Sequence, residues 1–288
     1  MRLLLLSVAR FLVAALAFSA PAYAAGGEGT DDGGAPASTI EFTYRLYAGG
    51  ISFGKAAMTA RLTGDDYKAS ALIETQGIVN KFWQSKIETA SNGKIGDTKV
   101  TPSEYDSFTT RAPGQRQEVT LKFDPDGPSS LLVSPPYNEN RFPVSDDQKK
   151  RSLDPLSAML FLTTSYHANE EKPCQVVAPV FDGSRRYDIA FSFLKKTDVR
   201  MDNGLYSGPA LVCQVLYKQI AGYKQSIVDS RHPLPKIYAW VASFQSKSDP
   251  TRRYMVPVRL WAESEFGIIV AVMDELKIDG VEIGKPAG

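Results

Sequence analysis

Two histidines, His167 and His232, are the only imidazoles in this chain of 288 residues. A serine or cysteine nucleophile working near neutral pH needs a base beside it, and imidazole is the usual one. His232 stands in Arg231-His232-Pro233-Leu234-Pro235, a rigid turn. His167 follows an apolar segment, where an imidazolium would complement a helix C-terminus. Neither has a placed partner, so both read as structural or solvent-exposed. Carboxylates offer a second chemistry. Glu263 and Glu265 would project from one face of a strand, a spacing that could serve a glycosidase pair. Asp65-Asp66 and Asp146-Asp147 read as loop charges. No G-x-S-x-G elbow, phosphate loop, H-E-x-x-H zinc site or EF-hand loop is present. The sequence therefore nominates no catalytic residue, no metal ligand and no cofactor.

Binding chemistry is better represented. Trp83, Trp240 and Trp261 join 14 phenylalanines and 13 tyrosines, many of them on strand-like runs. On a curled sheet such side chains could line an apolar trough for an acyl chain or an extended peptide. The plainer alternative is that they fill the core. Trp240 and Trp261 are the ligand-binding candidates. Arg185-Arg186 and Arg252-Arg253 stand at strand starts, where they could touch an anionic head group or simply be solvated turn charges.

The elements that must position these residues are mostly strands. Ile40, Phe42, Tyr44 and Leu46 alternate with Glu41, Thr43 and Arg45, and Ala48-Gly49-Gly50 then turns the chain into Ile51–Leu62. Tyr187, Ile189, Phe191 and Phe193 alternate in the same way, and 237–244, 254–263 and 268–278 are three further runs. Asp126-Gly127 and Asp182-Gly183 supply turns. Half-polar strands leave one face wet, which antiparallel sheets permit. The expected fold is mainly β: a curled or spiral antiparallel sheet, open and barrel-like. One segment departs from it. Asp154-Pro155 is a good helix start, and Leu156, Met159, Leu160 and Thr163 recur at helical spacing. This predicts one short amphipathic helix near 155–166, packed on the sheet, with a buried strand through 158–162 as the alternative. An outer-membrane barrel fits poorly, because Arg259 and Glu263 share a face with Trp261.

Composition sets the outer limits. With 33 basic and 32 acidic side chains, the chain lacks the basic excess of a nucleic-acid binder. Residues 1–24 read as a signal peptide: Arg2 and Arg10, an apolar run from Phe11 to Phe18, and the small-x-small site Ala22-Tyr23-Ala24. The run is short of the roughly 20 residues a spanning helix needs, so no membrane span is expected after cleavage. Cleavage there removes two arginines and no acid, leaving 31 basic against 32 acidic residues. Residues 25–39, Gly-rich and without periodicity, read as a flexible leader. A single β-rich domain follows over 40–282. Export places Cys174 and Cys213, the only cysteines, in an oxidising compartment. A disulfide between them would close a loop of about 40 residues and contribute about 3 to 4 kcal/mol by the loop-entropy argument. A redox-active pair is the alternative, but the C-x-x-C spacing that supports one is missing.

Five runs then carry a resemblance: Leu46–Gly54 (LYAGGISFG), Leu153–Ala158 (LDPLSA), Val180–Asp188 (VFDGSRRYD), Ile220–Tyr223 (IAGY) and Val256–Arg259 (VPVR). Together they resemble an exported proteobacterial family catalogued as domain of unknown function 3108, over about Ile40 to Ile278. The resemblance implies a periplasmic Gram-negative protein with an antiparallel β fold, and more remotely the curled-sheet envelope proteins. It brings no catalytic residues. The functional expectation is a non-catalytic periplasmic cell-envelope protein. It would support envelope integrity by binding an apolar ligand, a lipid, a lipoprotein or an envelope protein partner. The alternative is an envelope hydrolase acting on glycan or ester bonds.

Overall fold

The computed structural model describes residues 37–96, 98–111, 114–137, 142–164, 174–228, 235–264 and 267–284. The expected signal peptide and most of the expected leader lie outside them. Seven strands succeed one another in the first half: β1 (Ala37–Ala48), β2 (Ile51–Thr63), β3 (Asp66–Thr75), β4 (Ser85–Ile95), β5 (Val100–Arg111), β6 (Gln115–Asp124) and β7 (Gly127–Ser134). Two helices follow, α1 (Asp146–Lys149) and α2 (Pro155–Thr164). The second half holds β8 (Val176–Phe181), β9 (Arg186–Arg200), β10 (Ser207–Ala221), the short α3 (Gln225–Val228), β11 (Ile237–Gln245), β12 (Arg253–Ser264), β13 (Gly267–Ile278) and β14 (Val281–Glu282). Each half is an antiparallel meander, and β1 joins them by pairing with both β2 and β13. The result is one sheet in the order β7-β6-β5-β4-β3-β2-β1-β13-β12-β11-β10-β9-β8, with β14 on β13. Its end strands β7 and β8 do not pair with each other, so the sheet stays open.

The first strand starts at Ala37, three residues before the expected domain start at Ile40. Side-chain chemistry explains the extension. The Ser38 hydroxyl is buried and bonds Ser246, Tyr254 and Asp279 at 2.7–2.9 Å, so it belongs to the folded domain and not to a leader.

Curvature comes from breaks in register. Bulges interrupt the β1–β13, β1–β2, β9–β10, β11–β12, β4–β5 and β6–β7 ladders. Each adds bend and twist to its strand. The helix α2 shows how far the sheet curls, because it packs against β3, β4 and β5 and also against β8 and β12. Leu156 and Leu160 belong to the main core, with Ile40, Phe42, Tyr44, Met58 and Leu62. Ala158 and Leu162 belong to a second cluster, with Ala178, Val180, Tyr187 and Ile189. Positions two apart on a helix point about 200° from each other, so the two clusters hold opposite faces of α2. The expected amphipathic helix is therefore present, but with apolar contacts all round. This is the pattern of a buried helix and not of one lying on a surface. Residues 165 and 166, its expected last positions, lie outside the described residues.

The start of α2 is a buried polar knot. Asp154 Oδ1 accepts from the backbone N–H of Leu156 and Ser157 at 2.9 Å, the N-cap arrangement. Its Oδ2 accepts from the hydroxyls of Ser91 and Ser157. The Tyr67 hydroxyl completes the knot through Ser157 at 2.6 Å and Ser91 at 3.2 Å. Tyr67, Ser91, Asp154 and Ser157 are all buried, so β3 and β4 are tied to the helix by bonds no water can replace. A second carboxylate ties the start of β1 to the end of β13. Asp279 accepts from Ser38, Ser246 and the backbone N–H groups of Thr39, Lys247 and Ser248.

The disulfide between Cys174 and Cys213 is formed, with Cα atoms 6.3 Å apart, within the range that suits a bridge. It anchors the chain leading into β8 to the middle of β10, in a cluster with Leu211, Ala239, Val241 and Met255.

Two predictions follow from these contacts. Burial raises the Asp154 carboxyl to about 6 in spite of its hydrogen bonds, so the folded state holds a proton that the unfolded chain, near 3.8, has already released. Stability from this group therefore grows as pH falls from about 6 to about 4, by up to roughly 3 kcal/mol. Asp279 has the opposite sign. Burial pulls it up, but the backbone N–H groups of Ser248 and Thr39 and the hydroxyls of Ser246 and Ser38 outweigh that and hold it well below the usual range. Its contribution is kept above pH 4 and lost only at lower pH. Urea unfolding at several pH values should show the Asp154→Asn protein losing the gain between pH 6 and 4, while Asp279→Asn keeps it. Parallel curves for wild type and Asp154→Asn would refute the assignment. Second, replacing both cysteines by alanine should cost about 3 to 4 kcal/mol, and non-reducing peptide mapping should recover the 174–213 cross-link. Two free thiols would contradict the bridge.

Candidate functional site

Trp240 on β11 and Trp261 on β12 are brought together. Strand pairing sets Trp240 opposite Arg259 and Tyr238 opposite Trp261, and directly opposed residues share a face of the sheet. The indole rings meet edge-on with centroids 5.7 Å apart, and Tyr238 stacks on Trp261 at 5.6 Å. The Arg259 guanidinium lies 5.1 Å from the Trp240 ring centroid, a cation–π contact. Pairing carries the same face onward to Val272 and Val270 of β13, and from them to Arg45 and Tyr47 of β1. On the other side it reaches Val212 and Gln214 of β10. The stripe thus crosses five strands.

These residues are neither core nor free surface. Tyr238, Trp240, Arg259 and Trp261 are half-buried, and Trp240 and Val272 pack on the margin of the main core. The opposite face of β11 carries Ala239 and Val241, which pack with Cys174 and Cys213. The disulfide therefore braces the strands from behind. The rings are pre-arranged by one another and by the sheet, which lowers the ordering cost of any ligand laid across them.

Arg185 and Arg186, the expected anion contacts, sit elsewhere, at the β8–β9 turn. Arg185 Nε donates to Asp182 Oδ2 at 3.0 Å, and Asp182 also accepts from the backbone of Ser184 and Arg185. Arg186 donates to Asp188 at 2.6 Å and to the carbonyls of Tyr187 and Gln148. Their side chains are only 32% and 12% exposed. Both are engaged within the protein, and Arg186 ties α1 to β9. The arginine beside the tryptophans is instead Arg259. The sequence places it on the face of Trp261, but the cross-strand ring that gives it a role is visible only once β11 and β12 are paired.

The remaining candidates stay apart. Glu263 is exposed at the end of β12, while Glu265, His167 and His232 lie outside the described residues. Among the described residues no group of three metal-binding side chains occurs. No helix among them is long and apolar enough to cross a membrane. A shallow groove of about 340 Å³ crosses β4, β5 and β6, lined among others by Glu88, Asp106, Phe108 and Glu118. These four residues come together only through strand pairing, so no local pattern in the sequence marks the groove.

No curated protein matches the chain. Among solved structures, the crystal structure of a β-barrel-like protein of domain of unknown function DUF1849 from Brucella abortus is similar, with a TM-score of 0.52 at 11% identity. The likeness covers 83% of this chain and 97% of that one. At that identity it concerns the fold alone. Residues 43–274, which hold nearly the whole sheet, match the family described as Protein of unknown function (DUF3108), and the chain belongs to that family.

Proposed function

We propose that this is a non-catalytic periplasmic cell-envelope protein that supports envelope integrity by holding an apolar ligand, a lipid chain or a segment of a partner on the aromatic stripe of its sheet. The observation that carries the reading is the Tyr238–Trp261–Trp240–Arg259 array, half-buried and stacked. Aromatic rings offer large apolar area at small entropic cost, and a neighbouring guanidinium suits a carboxylate or phosphate at the end of an apolar chain. The export pattern of residues 1–24 and the disulfide support a location outside the cytoplasm.

Titration of the purified protein with a long-chain fatty acid and with the corresponding alcohol, followed by tryptophan fluorescence and native mass spectrometry, tests this. Saturable binding should weaken about tenfold or more in Trp240→Ala and Trp261→Ala, in line with the loss of a buried aromatic contact. Arg259→Gln should weaken the acid and spare the alcohol. A protein that binds neither, and that co-purifies with no lipid or envelope protein, would rule the reading out.

A further inference from the structure

One end of the sheet presents apolar side chains to solvent. Three segments meet there: the β1–β2 turn and start of β2 (49–53), the β3–β4 loop (76–84) and the start of β13 (267–269). The backbone N–H of Gly49 donates to Ile268 O at 3.0 Å, and that of Gln76 to Phe53 O at 2.9 Å, so the three segments are tied side by side. Within the loop, a 3-10 turn over Val79–Lys81 is built from N–H groups of Asn80, Lys81 and Phe82 donating to Gly77, Ile78 and Val79. The Thr75 hydroxyl closes its base, accepting from Ser85 N and donating to Asn80 Oδ1, both at 2.9 Å. Ile78 and Phe82 stand at the two ends of this turn, as its N-cap and C-cap. They are 62% and 85% exposed, and Ile51 and Ile268 are 60% and 52% exposed.

Folding does not explain this pattern, since these side chains gain little burial. Across 49–53, 76–84 and 267–269 the only charged side chain is Lys81, at the tip between Ile78 and Phe82. Among the described residues two acids flank these segments, and Glu263 is exposed. Glu74 accepts from the Gln76 side chain at 2.8 Å, and Glu263 pairs across from Ile268. Four protruding side chains fall short of the roughly 800 Å² per partner that a stable protein interface uses. They do match what a bilayer interface accepts: phenylalanine, isoleucine and an adjacent tryptophan at the acyl boundary, with a lysine among the head groups. A fluid bilayer needs no complementary shape, and Lys81, in a loop over 76–84 that holds no acid, favours an anionic surface.

We propose that this rim, with Ile51, Ile78, Phe82 and Ile268 inserting and Lys81 contacting head groups, seats the protein on the surface of an anionic phospholipid bilayer. The proposal is independent of what the aromatic stripe binds. Ile268 and Val270 alternate onto one face of β13, and Val270 pairs with Trp261, so the rim and the stripe are continuous.

Flotation of the purified full chain with phosphatidylcholine vesicles, with and without phosphatidylglycerol, tests it. The protein should float with the anionic vesicles. An Ile78→Ser/Phe82→Ser variant should partition about tenfold or more less, with unchanged circular dichroism and thermal midpoint because both side chains are exposed. Lys81→Glu should reduce binding to anionic vesicles and leave any residual binding to neutral ones alone. Absence of flotation, or equal flotation of the serine variant, would overturn the proposal, as would a dimer in size-exclusion chromatography that depends on Phe82. Fatty-acid titration of the same serine variant separates the two readings. Intact titration with lost flotation upholds both, whereas intact titration with unaltered flotation overturns only the rim.

Discussion

The fold depends on one buried carboxylate. Asp154 caps α2, takes the hydroxyls of Ser91 and Ser157, and thereby fixes where a ten-residue apolar helix enters the curl of the sheet. A buried charge-bearing group left unpaired costs far more than its pairing gains. Three of the four bonds to Asp154 come from the first turn of α2 and the fourth from Ser91 on β4, so the set is complete only when helix and strand meet. With α2 fixed, the main core, drawn from both halves of the sheet, closes on Leu156 and Leu160, and a cluster of the second half closes on Ala158 and Leu162. Alanines on β2 and β3, among them Ala56, Ala60, Ala69 and Ala71, contribute to the core that receives it. A larger side chain at such a position would press on close-packed neighbours.

A sheet wrapped round a helix has no need to complete its hydrogen-bonded ring. The two ends approach through side chains and loops instead. At Gly183 in the β8–β9 turn, with φ of +89°, an added Cβ would come within 2.6 Å of Val119 Cγ1 on β6 and 3.3 Å of Leu131 on β7. At Gly127, with φ of +130°, it would meet the backbone of residues 149–151 at about 3.0 Å. Glycine at both positions lets the strand ends come close without strain. Arg186, which joins β9 to the carbonyl of Gln148, belongs to this seam. Arg185, by contrast, bonds only Asp182 within its own turn.

The strands were legible because polarity alternates with period two, and that periodicity survives whatever the strands pair with. The helix start was legible because Asp-Pro is local chemistry. The disulfide followed from an even cysteine count. The roles of individual side chains were less accessible. Whether Arg185 or Arg259 accompanies the tryptophans depends on strand pairing, and one bulge between Trp240 and Val241 decides which residue of β12 stands opposite each ring. The burial of α2 on all sides was hidden for a related reason: its outer face looks polar enough through Ser157, Thr163 and Thr164, yet their hydroxyls are satisfied by Asp154, Met159 and Leu160. The apolar rim is not legible in the sequence because 76–84 has neither strand nor helix periodicity. Its character appears only when two other loops join it.

An open sheet carries two unpaired edges, which invite other chains to add strands. In β8 this is managed by chemistry written into the edge itself. Pro179 has no N–H to offer, and its carbonyl is taken by Leu153 N at 2.8 Å, while Phe181 N is taken by Leu153 O at 2.9 Å. Leu153 forms a parallel bridge with Val180. It is also the residue before Asp154. The carboxylate that anchors α2 therefore positions the residue that blocks the β8 edge. Closure of the core and protection of the β8 edge are one structural event.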